Sequence, residues 1–194
     1  MIIKSFREHL GIPPSTASLK DSMLIIIDAQ NEYADGKLAV ANLASTRPVI
    51  EQLVKRYRAA SGHVAHVWHI TPAGCPVFTP GTSLVKVFPE LTPVNRVEEV
   101  IVEKHFPGAF AETNLEELIE KAGVKKLVLV GYMAHICVST TAREAHQRGY
   151  EVLMVEDAIG DRDIPGASGE EVTKMVLLEL GDGFATVVKN EEIQ

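Results

Sequence analysis

The stretch KLVLVGYMAHICVSTTAREAHQRGYEVLMV, residues 126–155, holds two apolar runs on either side of a mixed segment. Lys126 to Val130 reads as a strand closed by Gly131, Val138 to Arg148 is helical in character, and Glu151 to Val155 reads as the next strand. Both runs are continuous rather than alternating, which is how strands buried on both faces read. Parallel neighbours need a connection of a dozen or more residues, usually a helix. The segment is therefore one strand–helix–strand unit of a parallel sheet.

The same reading extends outward. Met23 to Ile27 is an isoleucine-rich run ending at Asp28, and His63 to Ile70 reads as a second strand. Between them Val49, Ile50, Leu53, Val54 and Tyr57 recur at helical spacing over residues 46–60, with Gly62 as the stop. Val97 to Val102 reads as a strand ending at Glu103 and Lys104. Thr113 with Glu116 has the spacing of a capping box for a helix carrying Leu115, Leu118 and Ile119. A helix over 169–180 and a strand from Phe184 to Val188 complete the pattern. This predicts an α/β fold: one three-layer α-β-α domain, residues 23–194, around a six-stranded, mainly parallel sheet. Residues 1–22 form a leader in which Pro13, Pro14 and Ser15 break any helix begun at Ser5 to His9. Residues 71–93 hold five of the ten prolines. A loop of that length inside a compact domain reads as a lid or a binding wall.

The chain of 194 residues carries 19 Lys and Arg against 26 Asp and Glu, a formal net charge of -7. That balance gives no general attraction to nucleic acid or to an anionic membrane. Two cysteines, Cys75 and Cys137, do not make a disulfide framework. The N-terminal segment MIIKSFREHLGIPP lacks a signal-peptide pattern, and no apolar run approaches the roughly 20 residues of a membrane span. The expectation is a cytoplasmic protein with a small-molecule substrate.

In open α/β sheets ligands bind beyond the carboxyl ends of strands, near the point where strand order reverses. Asp28, Lys104 and Cys137 all fall at such ends. A cysteine beside a lysine at a helix start has its thiolate favoured. A carboxylate within reach of the sulfur takes the thiol proton and returns it to a leaving nitrogen. Taken singly, each residue has a plainer role: a buried small side chain, a turn residue, a solvated cation.

The segments IIIDAQNEY (25–33), VEKHFPGAF (102–110) and LVGYMAHICVSTTAREAHQRGYEVLMVEDAIGDRD (129–163) resemble the isochorismatase-like cysteine hydrolase superfamily. The resemblance runs from about Met23 to Val188 and implies a Rossmann-like, six-stranded parallel sheet. It maps a catalytic triad onto Asp28, Lys104 and Cys137. It also implies a cis peptide between Tyr132 and Met133, with the backbone N–H groups of Met133 and Cys137 as oxyanion donors. Family members that cleave a vinyl ether generally lack the cysteine, so Cys137 points to C–N bond hydrolysis of a small amide, carbamoyl or lactam through a thioester. The alternatives are a nicotinamidase-like amidase and a triad-bearing binding protein without turnover. Nicotinamidases carry an Asp-x-His metal motif, whereas VWHITPAGCPVF here has no Asp before His69, so no metal or cofactor is expected. Glu112 stands where relatives often have Gly. The family also implies a homo-oligomer, dimer or tetramer, with segment 71–93 as a candidate contact.

The remaining signals are weaker. His63, His66 and His69 are spaced three apart on a strand and point to alternating faces, so they do not converge on a metal. His135 belongs to the pocket rim or supports the loop, and Cys75 is a spectator thiol. Gln30, Tyr33, Trp68, Phe110 and His135 are the candidate substrate contacts, Gln30 through orienting Asp28 or binding a polar group. Thr140, Thr141, Arg143 and Glu144 read as capping, packing and surface pairing.

Overall fold

The computed structural model describes residues 3–94 and 96–194. In chain order the elements are α1 (Phe6–His9), β1 (Ser22–Ile27), α2 (Glu32–Asp35), α3 (Leu43–Ala59), β2 (His63–His69) and β3 (Glu99–Lys104). They continue with α4 (Leu115–Ala122), β4 (Lys126–Gly131), α5 (Ser139–Gln147), β5 (Glu151–Ile159), α6 (Gly169–Gly183) and β6 (Thr186–Val188). The six strands form one sheet in the order β3-β2-β1-β4-β5-β6. Every pairing is parallel. The chain lays strands outward from β1 in one direction, then returns to β4 and builds the other way. The order reverses between β1 and β4, where Ile27 pairs with Gly131.

All six residues of β1 are buried. Its side chains alternate between two cores: Met23, Ile25 and Ile27 pack with α4, α5 and α6, while Leu24 and Ile26 pack with α3. A fully buried aliphatic side chain contributes roughly 1.5–3 kcal/mol. An unpaired polar residue at any of these five positions would therefore disturb the core layer it faces.

Several boundaries differ from the sequence expectation. Strand β3 begins at Glu99 rather than Val97, because pairing with β2 starts at Val64–Glu99 and leaves Val97 in solvent. It runs on to Lys104, which pairs with His69. Helix α3 starts at Leu43, so Pro48 lies inside it, on its exposed side. No capping box forms at α4. Asn114 is the N-cap without a side-chain bond, and Thr113 Oγ1 instead donates to Ala109 O and accepts from Leu115 N. Capping boxes do form at Ser5–Glu8 and Ser168–Glu171.

The N-terminal segment is tied down. Phe6 N donates to Asp182 on α6, Ser15 N to Thr186 on β6, and the segment exchanges backbone bonds with the C-terminus through Ala17, Leu19 and Gln194. The long connection between β2 and β3 is anchored by buried Phe78, Phe88 and Leu91. Glu32 on α2 fastens it from below. This buried carboxylate accepts from Lys37 N and Leu38 N of its own loop and from Phe78 N at 3.0 Å.

Candidate active site

Asp28 follows β1 directly and takes a left-handed backbone turn, φ 51°. Its N–H donates to Val67 O at 2.9 Å, which holds the turn against β2. Gly131 ends β4 alongside, with φ 111°. A Cβ there would lie 2.1 Å from Ile27 O, so only glycine allows the two central strands to end this close together. After Gly131 the Tyr132–Met133 peptide is cis, as the resemblance implied. The chain then makes one π-helical turn, Ala134–Val138, which carries Cys137 into the cluster ahead of α5.

Lys104 reaches the same point from β3. Its Nζ donates to His69 Nδ1 at 3.1 Å, to Phe106 O at 3.1 Å and to Cys137 Sγ at 3.4 Å. An ammonium has three protons, and these bonds use all of them. Asp28 Oδ2 lies 2.9 Å from the same nitrogen, an ion pair set off the direction of its N–H bonds. Apart from Lys104 and Cys137, neither Asp28 oxygen has a partner among the described residues, though both are buried. Asp28 and Lys104 have no exposed surface, and Cys137 is 5% exposed. The structure thus brings the three strand-end residues into one buried cluster.

The electrostatics correct one expectation. Burial and the adjacent Asp28 carboxylate push the Cys137 thiol well above its ordinary range, and Lys104 offsets this only in part. This shift disfavours the lysine-stabilised thiolate in the resting site. Burial lowers the Lys104 pKa, but Asp28 and Cys137 together carry it above the usual lysine value, so the ammonium stays charged. Burial and the Lys104 charge lower His69. Burial, then Asp28 and Cys137, raise the Tyr33 hydroxyl well above the tyrosine range, which places that hydroxyl among the same groups.

The other candidates divide. Tyr33 is buried beside the cluster, edge-on to Phe78 at 5.2 Å and to Tyr132 at 5.8 Å. Gln30 neither orients Asp28 nor faces open space. Its amide clamps the backbone of His69, accepting from His69 N at 2.8 Å and donating to His69 O at 3.2 Å and to Val85 O at 2.8 Å. Trp68 alternates with His69 along β2 and shares a face with Val64, in the α3 layer. Phe110 stacks on Tyr150 at 6.1 Å under the Arg148 guanidinium. Tyr150 precedes β5, so Phe110 belongs to the opposite end of the sheet. His135 is held by Asp161, whose Oδ2 accepts from His135 N at 2.9 Å and pairs with Nδ1 at 2.6 Å. It supports the nucleophile turn.

Sequence reasoning missed three supports. Asp161, fully buried, fixes the turn through His135. Thr141 and Glu144 on α5 accept from Ala109 N and Phe110 N, which holds the loop that presents Phe106 O to Lys104. Their polar spacing on α5 was the available signal, but a surface helix shows the same pattern. His63, His66 and His69 separate as expected, with His66 on Glu99 and His69 on Lys104. No three His, Cys, Asp or Glu side chains among the described residues come together as a metal site. No helix among them is long and apolar enough to cross a membrane.

The fold is a three-layer α/β domain with a buried carboxylate, lysine and cysteine at its switch point, and comparison with known proteins names its family. Residues 22–192 match the Isochorismatase domain family, and the chain belongs to that family of hydrolases. It is 56% identical, over 98% of its length and 100% of the other, to the "Secreted isochorismatase effector Isc1" of Verticillium dahliae. An isochorismatase structure from Pseudomonas putida KT2440 superimposes with a TM-score of 0.94 at 30% identity, covering 100% of both chains. The N-carbamoylsarcosine amidase of Thermoplasma acidophilum gives 0.75 at 26% identity, over 90% of this chain and 99% of that one. The first of these relatives overturns the cytoplasmic placement expected from composition. A relative alike over the whole chain is named as secreted, and neither charge nor cysteine count reports the compartment of a stable, disulfide-free fold.

Proposed function

We propose that the chain hydrolyses the C–N bond of a small amide, carbamoyl or lactam substrate through a thioester at Cys137. The observation that carries this is the buried cluster itself: a cysteine sulfur held beside a lysine and a carboxylate whose oxygens have no other partner. Cys137 Sγ attacks the carbonyl carbon while its proton passes to Asp28. The carbonyl oxygen gains the electron pair and is held by backbone N–H groups, with Met133 and Cys137 in that role. Met133 N–H has no acceptor among the described residues, which supports the assignment. As the intermediate collapses the C–N bond breaks, and Asp28 returns the proton to the leaving nitrogen. Water then attacks the thioester, giving one proton to Asp28, and the C–S bond breaks as that proton returns to sulfur. Lys104, 2.9 Å from Asp28 Oδ2, stays paired with the carboxylate through these steps.

A panel of small amides, carbamoyl compounds and lactams, scored by ammonia or amine release, tests the proposal. Cys137→Ala should cost at least about a thousandfold in kcat while the fold is kept. Full activity in that variant would remove the mechanism.

The name of the Verticillium relative favours a second reading, hydrolysis of a vinyl ether, in which Asp28 serves as the acid and Cys137 makes no covalent bond. Isochorismate turned over equally by the wild type and Cys137→Ala would establish it. The same relative supports a site of action outside the producing cell, testable by detecting the protein in culture medium. The homo-oligomer remains part of the proposal, and light scattering of the purified chain checks it.

A further inference from the structure

His69 is a ring in the cluster that the mechanism leaves idle, and four contacts fix it. Gln30 grips its backbone N–H and carbonyl. Phe78 lies 5.2 Å from the ring. Lys104 Nζ donates to its Nδ1. An ammonium has no lone pair, so Nδ1 must be the acceptor and the ring proton must sit on Nε2. Nε2 has no partner among the described residues, yet it is not among the buried polar atoms left unpaired. It therefore keeps some solvent access, and the residue is half-buried rather than sealed. The result is a neutral N–H donor of fixed direction, one lysine nitrogen away from the nucleophile.

We infer that His69 is a specificity-determining residue whose Nε2–H takes a second acceptor oxygen on the substrate, distinct from the scissile carbonyl. The substrate class narrows to small amides that carry a further carbonyl or carboxylate. Lys104 and Gln30 act as positioning residues for that donor. This inference rests on the amide reading above, but it concerns binding, so the two fail separately.

The test measures binding of succinamide, succinamate and butyramide to the Cys137→Ser protein by calorimetry, without turnover. The first two carry a second acceptor oxygen, neutral or charged, and the third ends in a methyl group. One or both oxygen-bearing probes should bind about tenfold tighter than butyramide, and which one does so tells a carbonyl from a carboxylate site. Adding His69→Phe should abolish the preference, while His69→Gln, which keeps an N–H near the same place, should restore most of it. Thermal melts confirm that each variant is folded. An unchanged preference in His69→Phe, or no preference and no binding at all, overturns the inference. Loss of turnover on the amide panel with this preference intact would instead overturn the hydrolytic mechanism alone.

Discussion

Strands β2 and β3 carry two buried ionic clusters, one on each face of the sheet, and each contains a histidine, a carboxylate and a cation. On the α3 side Glu99 accepts from Arg58 at 3.1 and 2.6 Å, from His66 Nε2 at 2.8 Å and from Val94 N at 3.2 Å. On the other side Lys104 pairs with Asp28, His69 and Cys137. In the first cluster the carboxylate is saturated with donors. In the second the cation is saturated and the carboxylate is left open beside a thiol. A buried ion pair with every lone pair satisfied serves as structure. One with an open acceptor next to a nucleophile is equipped for proton transfer.

The sharpest way to separate the clusters is to neutralise each carboxylate. Asp28→Asn should lower kcat by at least about a thousandfold and at the same time bring the Cys137 thiol pKa down, because the removed charge was raising it. The thiolate ultraviolet absorbance, followed against pH in a Cys75→Ser background, reads that shift. An unchanged or higher thiol pKa would mean that Asp28 does not face the sulfur. Glu99→Gln should do the reverse. Leaving Arg58 and His66 against an uncharged partner costs about 3 kcal/mol, which in a chain of this size lowers Tm by roughly 10 °C. The activity of the folded fraction should be retained.

The two clusters also differ with pH. Burial pushes the Glu99 carboxyl up, but its bonds to His66 and Arg58 outweigh this and hold it at about 2, below its ordinary 4.5. A depressed carboxylate stabilises the fold at pH values above its unfolded pKa, and that contribution is lost as pH falls from about 4.5 through about 2. Acid unfolding monitored by circular dichroism should therefore show a shallower loss across this window in Glu99→Gln. The smallest effect is expected at Phe110, which the structure places away from both clusters. Phe110→Leu should cost about 1 kcal/mol in a denaturant melt and leave kcat/KM unchanged. A raised KM would return Phe110 to the substrate pocket.

Much of this was legible in the sequence, for physical reasons that vary by element. The runs MLIII and KLVLV announce buried parallel strands because both faces of the sheet are covered, and the residues that end them lie at the switch point by geometry alone. The family motifs then select Asp28, Lys104 and Cys137 from many polar residues at strand ends. Other features depend on contacts far apart in sequence. Gln30 reads as a substrate ligand until His69 and Val85 are seen to occupy its amide. Phe110 is the last residue of a family motif segment, yet its ring turns toward Tyr150. The upward shift of the Cys137 thiol follows first from burial, which the lysine and helix start alone do not reveal. Thr113 and Glu116 have the spacing of a capping box, but Ala109 O competes for the threonine hydroxyl.

The central claim is that Cys137 becomes acylated during turnover. Rapid-quench intact-mass spectrometry with the best substrate of the amide panel tests it directly. A transient mass gain equal to the acyl group is expected, mapped to the peptide containing Cys137 and absent in Cys137→Ser. Steady turnover with no adduct, and with Cys137→Ala still active, would contradict it.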